Sequence, residues 1–233
     1  AGKILSVNQN MRYDQSMRVL KQIIDAGDLG EIVFAQIDMH AVPHWQGFLE
    51  GYDRLTLSNM SVHHLDVLRF LFGDPEEITS LTRPDPRTKF AHADGIVVST
   101  LRFPSGAVAV SLEDVWSGPR AEGYEDDQHI GWRVEGTEGV AKGTIGWPTG
   151  APSTLSYASL KATGGKWVTP QWETMWFPHA FTGVMEQLQH AVKTGTAPAL
   201  SVADNVRTMA LVEAAYQSIE ERRTVRLSEI KID

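Results

Sequence analysis

The sequence predicts an α+β protein whose central β-sheet is mainly antiparallel. Segments with the apolar spacing of helices lie towards both ends of the chain, and a series of short apolar segments with the length of strands lies between them. The connections between these strands are short, whereas a parallel pair would need a long crossover. Helices outside a closely spaced run of strands are typical of the α+β class.

The N-terminal part of the chain predicts a strand, a helix and a second strand. Residues 4–7 are mostly apolar and predict a short buried strand. Residues 14–26 have helical apolar spacing, with Asp14 as the N-cap and Gly27 as the residue that ends the helix. Residues 31–39 predict a strand that is buried mainly on one face.

The middle of the chain predicts one more helix and then a succession of strands. The helix spans residues 61–72, with an apolar face that includes Leu65 and Leu68, and Gly73 ends it. The predicted strands are residues 77–81, 96–103, 108–115, 130–135, 139–145, 155–160 and 166–168. Residues 104–106, Pro-Ser-Gly, form a tight turn and therefore predict a hairpin between the second and third of these strands.

Two helices and a short strand close the chain. The first helix spans residues 181–193 and ends at Gly195. The second spans residues 203–222 and opens with Ser201 and Asp204, which follow the S-x-x-D form of a capping box. The strand spans residues 224–227. No repeat, low-complexity tract or linker divides the chain, so we expect a single domain over residues 1–233.

Composition excludes several classes of protein. The chain has 233 residues, a net charge of −8 and no cysteine. The lack of cysteine excludes disulfides, thiolate metal sites and a cysteine nucleophile. The negative charge argues against a nucleic-acid partner. No apolar run reaches the roughly 18 residues of a membrane span, and the first residues do not resemble a signal peptide. We therefore expect a cytoplasmic protein with no membrane partner.

The densest group of reactive side chains lies in residues 57–66. If a helix begins within this segment, Asn59 and His63 lie one turn apart, as do His63 and Asp66. An imidazole with polar partners is suited to general acid–base catalysis, because it accepts protons near neutral pH and a hydrogen bond fixes its tautomer. The alternative is structural: a histidine caps a core helix, and Asp66 pairs with an arginine such as Arg69.

A metal site and a nucleotide cradle are both disfavoured. Imidazole or carboxylate ligands could come from His40, His44, His63, His64, His179 and Asp66. Pro43 separates the first two of these histidines, so they do not form a ligand pair on a helix. We therefore predict no metal site. The motif G-x-G-x-x-G and the Walker A motif are absent, so no phosphate cradle for a nucleotide is recognisable.

The tryptophans suggest a carbohydrate ligand. The chain has seven, which is many for its length, and indole rings stack on the C–H faces of sugars. Trp45, next to His44 in a predicted loop, is the best candidate for such a contact. Trp132 and Trp176 are expected in the core or at a subunit interface.

Several segments match one family in order and spacing. They are residues 7–13 (VNQNMRY), 25–30 (DAGDLG), 62–70 (VHHLDVLRF), 134–139 (VEGTEG), 204–210 (DNVRTMA) and 213–218 (EAAYQS). With these segments the chain resembles, from about residue 4 to residue 230, the substrate-binding half of the glucose–fructose oxidoreductase / inositol dehydrogenase / MocA family. The resemblance implies an open, mainly antiparallel sheet with helices packed on one face. It also implies a homodimer or homotetramer formed through the other face.

Members of this family are two-domain oxidoreductases that act with NAD or NADP, mostly on sugars, polyols and their derivatives. The resemblance implies that residues 4–7 are a remnant of the N-terminal Rossmann sheet. It places the cofactor-binding loop before residue 1, so no cofactor-binding residue is expected in this chain. The Rossmann domain would be missing by truncation or be encoded separately.

The resemblance also implies site residues. The family uses a D-x-x-x-H pair for proton transfer, which here corresponds to Asn59 and His63, with His63 as the general base and Asn59 as its polar neighbour. Arg12 and Tyr13 match positions near the cleft between the two domains. The other candidate substrate contacts are Trp45, His44, Trp116 and His179. Two alternatives remain open: a free-standing domain that binds or isomerises a sugar without redox chemistry, and a non-catalytic subunit that pairs with a separate Rossmann chain.

Overall fold

A computed structural model describes residues 3–41, 47–115, 128–147 and 150–231 of the chain. Its strands are β1 Ile32–His40, β2 Glu77–Arg83, β3 Ile96–Arg102, β4 Val108–Asp114, β5 His129–Gly136, β6 Gly139–Ile145, β7 Thr154–Ser159 and β8 Val225–Arg226. Its α-helices are α1 Gln15–Asp25, α2 Val62–Phe72, α3 Leu160–Thr163, α4 His179–Thr194 and α5 Val202–Glu221. Shorter helical turns span Asn10–Tyr13, Gly47–Gly51, Leu57–Ser61 and Leu227–Glu229.

The strands form one open sheet in the order β7-β6-β5-β1-β4-β3-β2-β8. Strands β1 and β4 are parallel, with a register that runs from Phe34 opposite Val108 to His40 opposite Asp114. The other paired strands are antiparallel. The predicted α+β class with a mainly antiparallel sheet is therefore confirmed. The parallel pair joins strands that lie far apart in the sequence, so the argument from short connections did not apply to it.

The predicted helix ends are confirmed where local hydrogen bonds set them. The Asp14 carboxylate accepts from the Ser16 amide at 2.9 Å and caps α1, and Gly27 beyond its end has a φ of +70°. The Ser201 hydroxyl accepts from the Asp204 amide at 3.2 Å and caps α5. Gly195 ends α4 with a φ of +68°. A cap needs a side-chain oxygen, and a left-handed backbone favours glycine, so the residue types at these positions allowed their prediction from the sequence.

The core lies between the helices and one face of the sheet. On β1, Ala35, Ile37 and Met39 are buried and alternate with more exposed neighbours. Because side chains alternate across a strand, this alternation places a single face against the helices. The opposite face is partly exposed. Helices α1, α2 and α5 lie over the buried face and contact β2, β4, β6, β7 and β8.

Three predicted strands differ from the structure. Residues 4–7 are not buried: Ile4 and Leu5 are 37% and 66% exposed, and a single bridge joins Ser6 to Ser201. Their apolar composition was insufficient because this segment does not pair along its length with any strand of the sheet. Residues 166–168 form only an isolated bridge, from Val168 to Tyr157, and the last strand shortens to β8. Within the described ranges, no helix combines the length and apolarity needed to cross a bilayer.

Candidate functional site

A buried aspartate fixes the start of the helix that carries His63. Asp94 accepts hydrogen bonds from the backbone amides of Leu55 and Leu57, at 2.5 and 2.9 Å, and the hydroxyl of Tyr216 donates to the same carboxylate at 2.9 Å. These bonds satisfy amides at the beginning of the π-helical turn Leu57–Ser61, which continues directly into α2. Asp94 and Tyr216 thus hold the start of the helical segment that carries His63.

The side chain of Gln9 orients the His63 ring. The Nδ1 atom of His63 lies 3.0 Å from the Oε1 atom of Gln9. A carboxamide oxygen only accepts, so Nδ1 carries the proton and donates this hydrogen bond. The Nε2 amide of Gln9 donates to the Oδ1 atom of Asn205 at 2.9 Å, which holds the Gln9 oxygen towards the ring. The Nε2 atom of His63 therefore has a free lone pair, and it has no hydrogen-bond partner among the described residues.

His63 is held in its neutral form. Burial of the ring, and next the electrostatic interaction with the adjacent His64, lower the pKa of His63 from its ordinary value of 6.5 to about 4. Its carboxamide partner carries no charge that would stabilise an imidazolium. At neutral pH, His63 is consequently a proton acceptor with a fixed tautomer, which is what a general base requires.

His64 points away from His63 into the core beneath the sheet. Its Nδ1 atom lies 2.8 Å from Oε1 of Glu113 on β4, and both side chains are fully buried. The hydroxyl of Ser111 donates to the same carboxylate oxygen at 2.6 Å. Adjacent histidines on one helix thus have different partners: His64 contacts Glu113 in the core, and His63 contacts Gln9.

An aromatic cluster lies against the His63 ring. The indole of Trp176 meets the imidazole edge to face, with ring centroids 5.7 Å apart, and its Nε1 donates to Asn10 Oδ1 at 2.7 Å. Phe177 stacks on Trp176 at 4.3 Å, and Trp147 meets Trp176 edge to face at 6.1 Å. Trp176 itself is buried. Gln9 and Asn10, consecutive in the chain, thus hold the imidazole and the indole that touch each other.

Arg12 belongs to a network of buried ion pairs. Its guanidinium contacts Asp66 on α2 at 2.5 Å and Asp204 on α5 at 2.7 Å. Thr208 donates to the same Asp66 carboxylate at 2.9 Å. Burial raises the pKa of Asp66, and the hydrogen bonds and charge of Arg12 oppose that rise. The network fastens the short helical turn Asn10–Tyr13 to both helices.

A cleft of about 310 Å³ brings together two of the predicted site residues, Tyr13 and His179. His179 begins α4 and is exposed, and its Nδ1 accepts a hydrogen bond from the amide of Met175 at 3.2 Å. The other lining residues are Gln15, Arg18, Thr174, Met175, Thr182, Gly183 and Glu186. One wall of this cleft immediately precedes Trp176 in the chain, which connects it with the aromatic cluster beside His63.

A match to a protein-family model shows the family of this chain. The C-terminal α/β domain of the glucose–fructose oxidoreductase / inositol dehydrogenase / MocA oxidoreductase family matches residues 21–227. The chain belongs to this family.

Curated relatives of the family are sugar and polyol dehydrogenases. The chain is 25% identical over 227 residues to D-apiose dehydrogenase of Rhizobium rhizogenes, covering 95% of the chain and 64% of that protein. It is 25% identical over 234 residues to inositol 2-dehydrogenase of Rhizobium meliloti, covering 96% of the chain and 65% of that protein. The chain thus spans less than two thirds of the length of these relatives.

Solved structures agree with the family fold. An oxidoreductase from Agrobacterium radiobacter, in complex with NAD⁺, L-tartaric acid and magnesium, superposes with a TM-score of 0.76 at 22% identity, over 98% of this chain and 66% of that one. Aldose–aldose oxidoreductase from Caulobacter crescentus, complexed with glycerol, gives a TM-score of 0.77 at 20% identity, over 97% of this chain and 64% of that one. The open antiparallel sheet with helices on one face is the shared feature.

The predicted partners of His63 are only partly as expected. Asp66 faces Arg12 rather than His63, so its predicted place beside the imidazole is wrong. The structural alternative for Asp66, an arginine partner, is confirmed with Arg12 taking the place proposed for Arg69. Asn59 is half-buried on the π-helical turn, and its side chain makes no hydrogen bond to any described residue. The family role of Asn59 stays a prediction.

The remaining predicted contacts divide into two groups. His44, Trp45 and Trp116 lie outside the described residues. The guanidinium of Arg12 is engaged by two carboxylates and its side chain is 11% exposed, so the structure gives it a structural contact, and its place in a substrate cleft stays a prediction.

Sequence reasoning missed Gln9 and the contact that Trp176 makes with the His63 ring. Gln9 lies in the segment 7–13 that carried the family resemblance, and this was the available signal. Its contact with His63 spans 54 positions, so no local spacing predicts it. Trp176 was expected in the core, and it is buried there, but it also contacts the imidazole.

The described residues do not fit a dinucleotide. The family's cofactor needs a glycine-rich turn between a strand and a helix, where backbone amides receive the pyrophosphate. In the described ranges, the helices α2, α4 and α5 begin after Ser61, Pro178 and Ser201, and no glycine-rich turn precedes them. No step of a reaction can therefore be assigned to a cofactor held by these residues.

Proposed function

We propose that this chain is the substrate-binding and dimerisation domain of an NAD(P)-dependent oxidoreductase that acts on a sugar, a polyol or a derivative, with His63 as the general base. The observation that carries the proposal is the state of His63. The ring is neutral, Gln9 fixes its proton on Nδ1, and Nε2 is left to accept a proton. A positioned base of this kind contributes roughly 10²–10⁴-fold to a rate.

In the proposed reaction, Nε2 of His63 takes the proton of a substrate hydroxyl as the alcohol carbon is oxidised. NAD(P)⁺, for which the described residues offer no site, would supply the hydride acceptor when bound elsewhere in the complete protein. The low pKa of His63, about 4, means that the imidazolium returns its proton readily to solvent or to the product. Gln9 keeps the ring oriented in both protonation states, since Nδ1 donates in each of them.

The relatives and the aromatic cluster support a sugar or polyol as the substrate. The relatives are named for apiose and inositol, which present several hydroxyls on a compact carbon skeleton. Trp147 and Phe177, both partly buried, offer flat apolar surface beside the ring contact between Trp176 and His63. Tyr13 and His179 supply hydroxyl and imidazole groups in the neighbouring cleft. This mixture suits a ligand with apolar C–H faces and polar edges.

The test is an activity measurement on the complete protein that contains this chain. Reduction of NAD⁺ or NADP⁺ is followed at 340 nm with apiose, myo-inositol and related polyols as substrates. We expect His63→Gln to lower kcat by about 10²–10⁴-fold with a smaller change in KM. His190→Gln, a matched change of an exposed histidine on α4, should leave both constants unchanged.

Three results would overturn the proposal. If kcat of His63→Gln stays within a factor of a few of the wild-type value, His63 is not the general base. Conversion of a sugar without any change in NAD(P)⁺ would instead favour the alternative of a domain that isomerises its ligand. Saturable binding with no turnover of any tested polyol would favour a non-catalytic subunit.

We also propose that the partly exposed face of the sheet binds a second copy of the chain. A row of apolar side chains crosses this face: Leu81 on β2 pairs with Val98 on β3, which pairs with Leu112 on β4. Leu81 is 71% exposed, and apolar rows of this kind on a sheet face are typical of subunit contacts. Light scattering after size exclusion should give the mass of a dimer or tetramer. Leu81→Glu should reduce that mass, whereas His190→Gln, at an exposed position on α4, should not, and a monomeric wild-type protein contradicts the proposal.

A further inference from the structure

An unassigned cluster of two imidazoles and a carboxylate lies on the partly exposed face of the sheet, away from the buried face that carries the helices. It consists of Asp38 and His40 on β1 and His129 on β5. One ligand atom from each lies within 4.8 Å of the others. This set differs from the histidines that the sequence analysis weighed as metal ligands, of which only His40 is shared.

The sheet itself holds the cluster together. Asp38 and His40 are two residues apart on one strand, so their side chains point to the same face. His129 is directly opposite His40 in the antiparallel register of β1 and β5. The two imidazoles stack with centroids 4.7 Å apart, and Nε2 of His129 lies 3.2 Å from Oδ2 of Asp38. The three donors are therefore fixed by backbone pairing rather than by a loop.

A glycine makes room for the carboxylate. Gly131 pairs with Asp38 across the β1–β5 ladder. A Cβ atom at position 131 would lie 3.1 and 3.4 Å from the two carboxylate oxygens, which is tighter than ordinary contacts. Glycine thus allows the Asp38 side chain to lie over β5 and approach His129. Glycine weakens a strand interior, and a close approach of this kind is one of the reasons for its presence there.

We propose that Asp38, His40 and His129 bind a divalent transition-metal ion of the Zn²⁺ type. Two imidazoles and one carboxylate form a common zinc ligand set, with water completing the tetrahedron. Ligand atoms about 2.1 Å from a tetrahedral ion lie about 3.4 Å from one another, and the contact of 3.2 Å between His129 and Asp38 already has that spacing. Nitrogen donors favour Zn²⁺, Ni²⁺ or Cu²⁺ over Mg²⁺ and Ca²⁺.

Nearby charges are compatible with such an ion. Asp114 is opposite His40 on β4, and its carboxylate pairs with Arg87, which also binds Asp85. The nearest approach of Asp114 to His40 Nδ1 is 3.8 Å, which exceeds a hydrogen bond. In the single chain the side chains of Asp38, His40 and His129 are 27%, 32% and 42% exposed, so an ion can reach them there. In a dimer formed through this sheet face, the ion would lie at the subunit contact, because Leu112 of the proposed contact row is opposite Asp38.

The test titrates the metal-free chain with ZnCl₂ by isothermal calorimetry at pH 7.5, and repeats it with MgCl₂. We expect one Zn²⁺ per chain with micromolar or tighter affinity, and no Mg²⁺ binding in the same range. His40→Gln, His129→Gln and Asp38→Asn should each weaken Zn²⁺ binding by at least about tenfold, the loss typical of even an outer-shell ligand partner. Gly131→Ala should weaken it as well, because it displaces the carboxylate.

The matched control is His190→Gln, which removes an exposed histidine from α4 and should leave Zn²⁺ affinity unchanged. Circular dichroism of each variant separates a lost ligand from a lost fold, and these partly exposed positions are expected to fold normally. Binding only at millimolar Zn²⁺, or binding that is equal in wild type and all ligand variants, is adventitious and overturns the proposal. This experiment needs no substrate or cofactor, so its outcome is independent of the proposed dehydrogenase activity.

Discussion

The Nδ1 atom of His63 lies 3.0 Å from the Oε1 atom of Gln9, across 54 positions of sequence. This contact replaces the carboxylate that commonly supports a catalytic imidazole with a neutral amide. The amide still orients the ring through a hydrogen bond, but it provides no negative charge to stabilise the imidazolium form of His63. Burial of the ring, and next the interaction with His64, lower the pKa of His63 to about 4, and Gln9 provides no charge to oppose this.

Gln9→Glu should raise the pKa of His63. A carboxylate at this distance favours the imidazolium and shifts the pKa of a histidine upward by about 1–3 units. The measurement is an NMR titration of the His63 ring protons in the isolated chain. Gln22→Glu, which adds the same charge at an exposed position on α1, should leave the titration unchanged. A pKa that stays near 4 in the Gln9 variant would contradict the contact.

The free energy of unfolding should decrease as the pH is lowered from 6.5 to 4, because of His63. The pKa of His63 is lower in the folded protein, about 4, than its ordinary value of 6.5, so in this window the unfolded chain binds more protons. The free energy of unfolding contributed by the neutral ring is full above pH 6.5 and is lost as the pH falls towards 4. Urea titrations at several pH values should give a shallower pH dependence for His63→Gln than for wild type. Equal slopes would show that His63 titrates normally.

Asp66→Asn should destabilise the protein strongly. It removes one partner of a buried ion pair and leaves the Arg12 guanidinium without its bidentate acceptor, which typically costs about 3–5 kcal/mol. Urea unfolding provides the free energy. Asp25→Asn removes the partner of Lys21 in an exposed pair on α1 and should cost less than about 1 kcal/mol. Comparable losses in the two variants would contradict the structural role of the Arg12 network.

Gly183→Ala should disturb the cleft that contains Tyr13. A Cβ atom at position 183 would lie 2.2 Å from the Cδ1 atom of the Tyr13 ring, so α4 or the ring must move. We expect a loss of about 1–3 kcal/mol in the free energy of unfolding and a changed fluorescence of Tyr13 and neighbouring tryptophans. Gly51→Ala, where nothing lies within 4 Å of the new methyl group, is the control and should be close to neutral.

The sequence predicted those parts of the fold that depend on near neighbours. Asp14 and Ser201 act through amides within three positions, and Gly27 and Gly195 adopt backbone angles that few other residues tolerate. The strand segments followed from composition and alternation. The parallel pairing of β1 with β4 did not follow, because nothing local distinguishes the partners of a central strand.

The candidate site was predictable in its central residue and not in its surroundings. His63 was identified because helical spacing and the family pattern both involve it. Its true partner, Gln9, and its aromatic neighbour, Trp176, come from segments that only the folded chain brings together. The spacing suggested that Asp66 is a partner of His63, yet its side chain pairs with the largely buried guanidinium of Arg12. Long-range electrostatics therefore determined what spacing could not.

The hydrogen bond from Gln9 to Asn205 has a consequence for the evolution of the sequence. Asn205 has no hydrogen bond to an imidazole among the described residues, but its oxygen holds the Gln9 amide in the orientation that suits His63. A homologue with a hydrogen-bond donor at position 205 would turn the Gln9 amide over and present its NH₂ group to the ring. We therefore expect the residues at positions 9, 63 and 205 to covary among relatives.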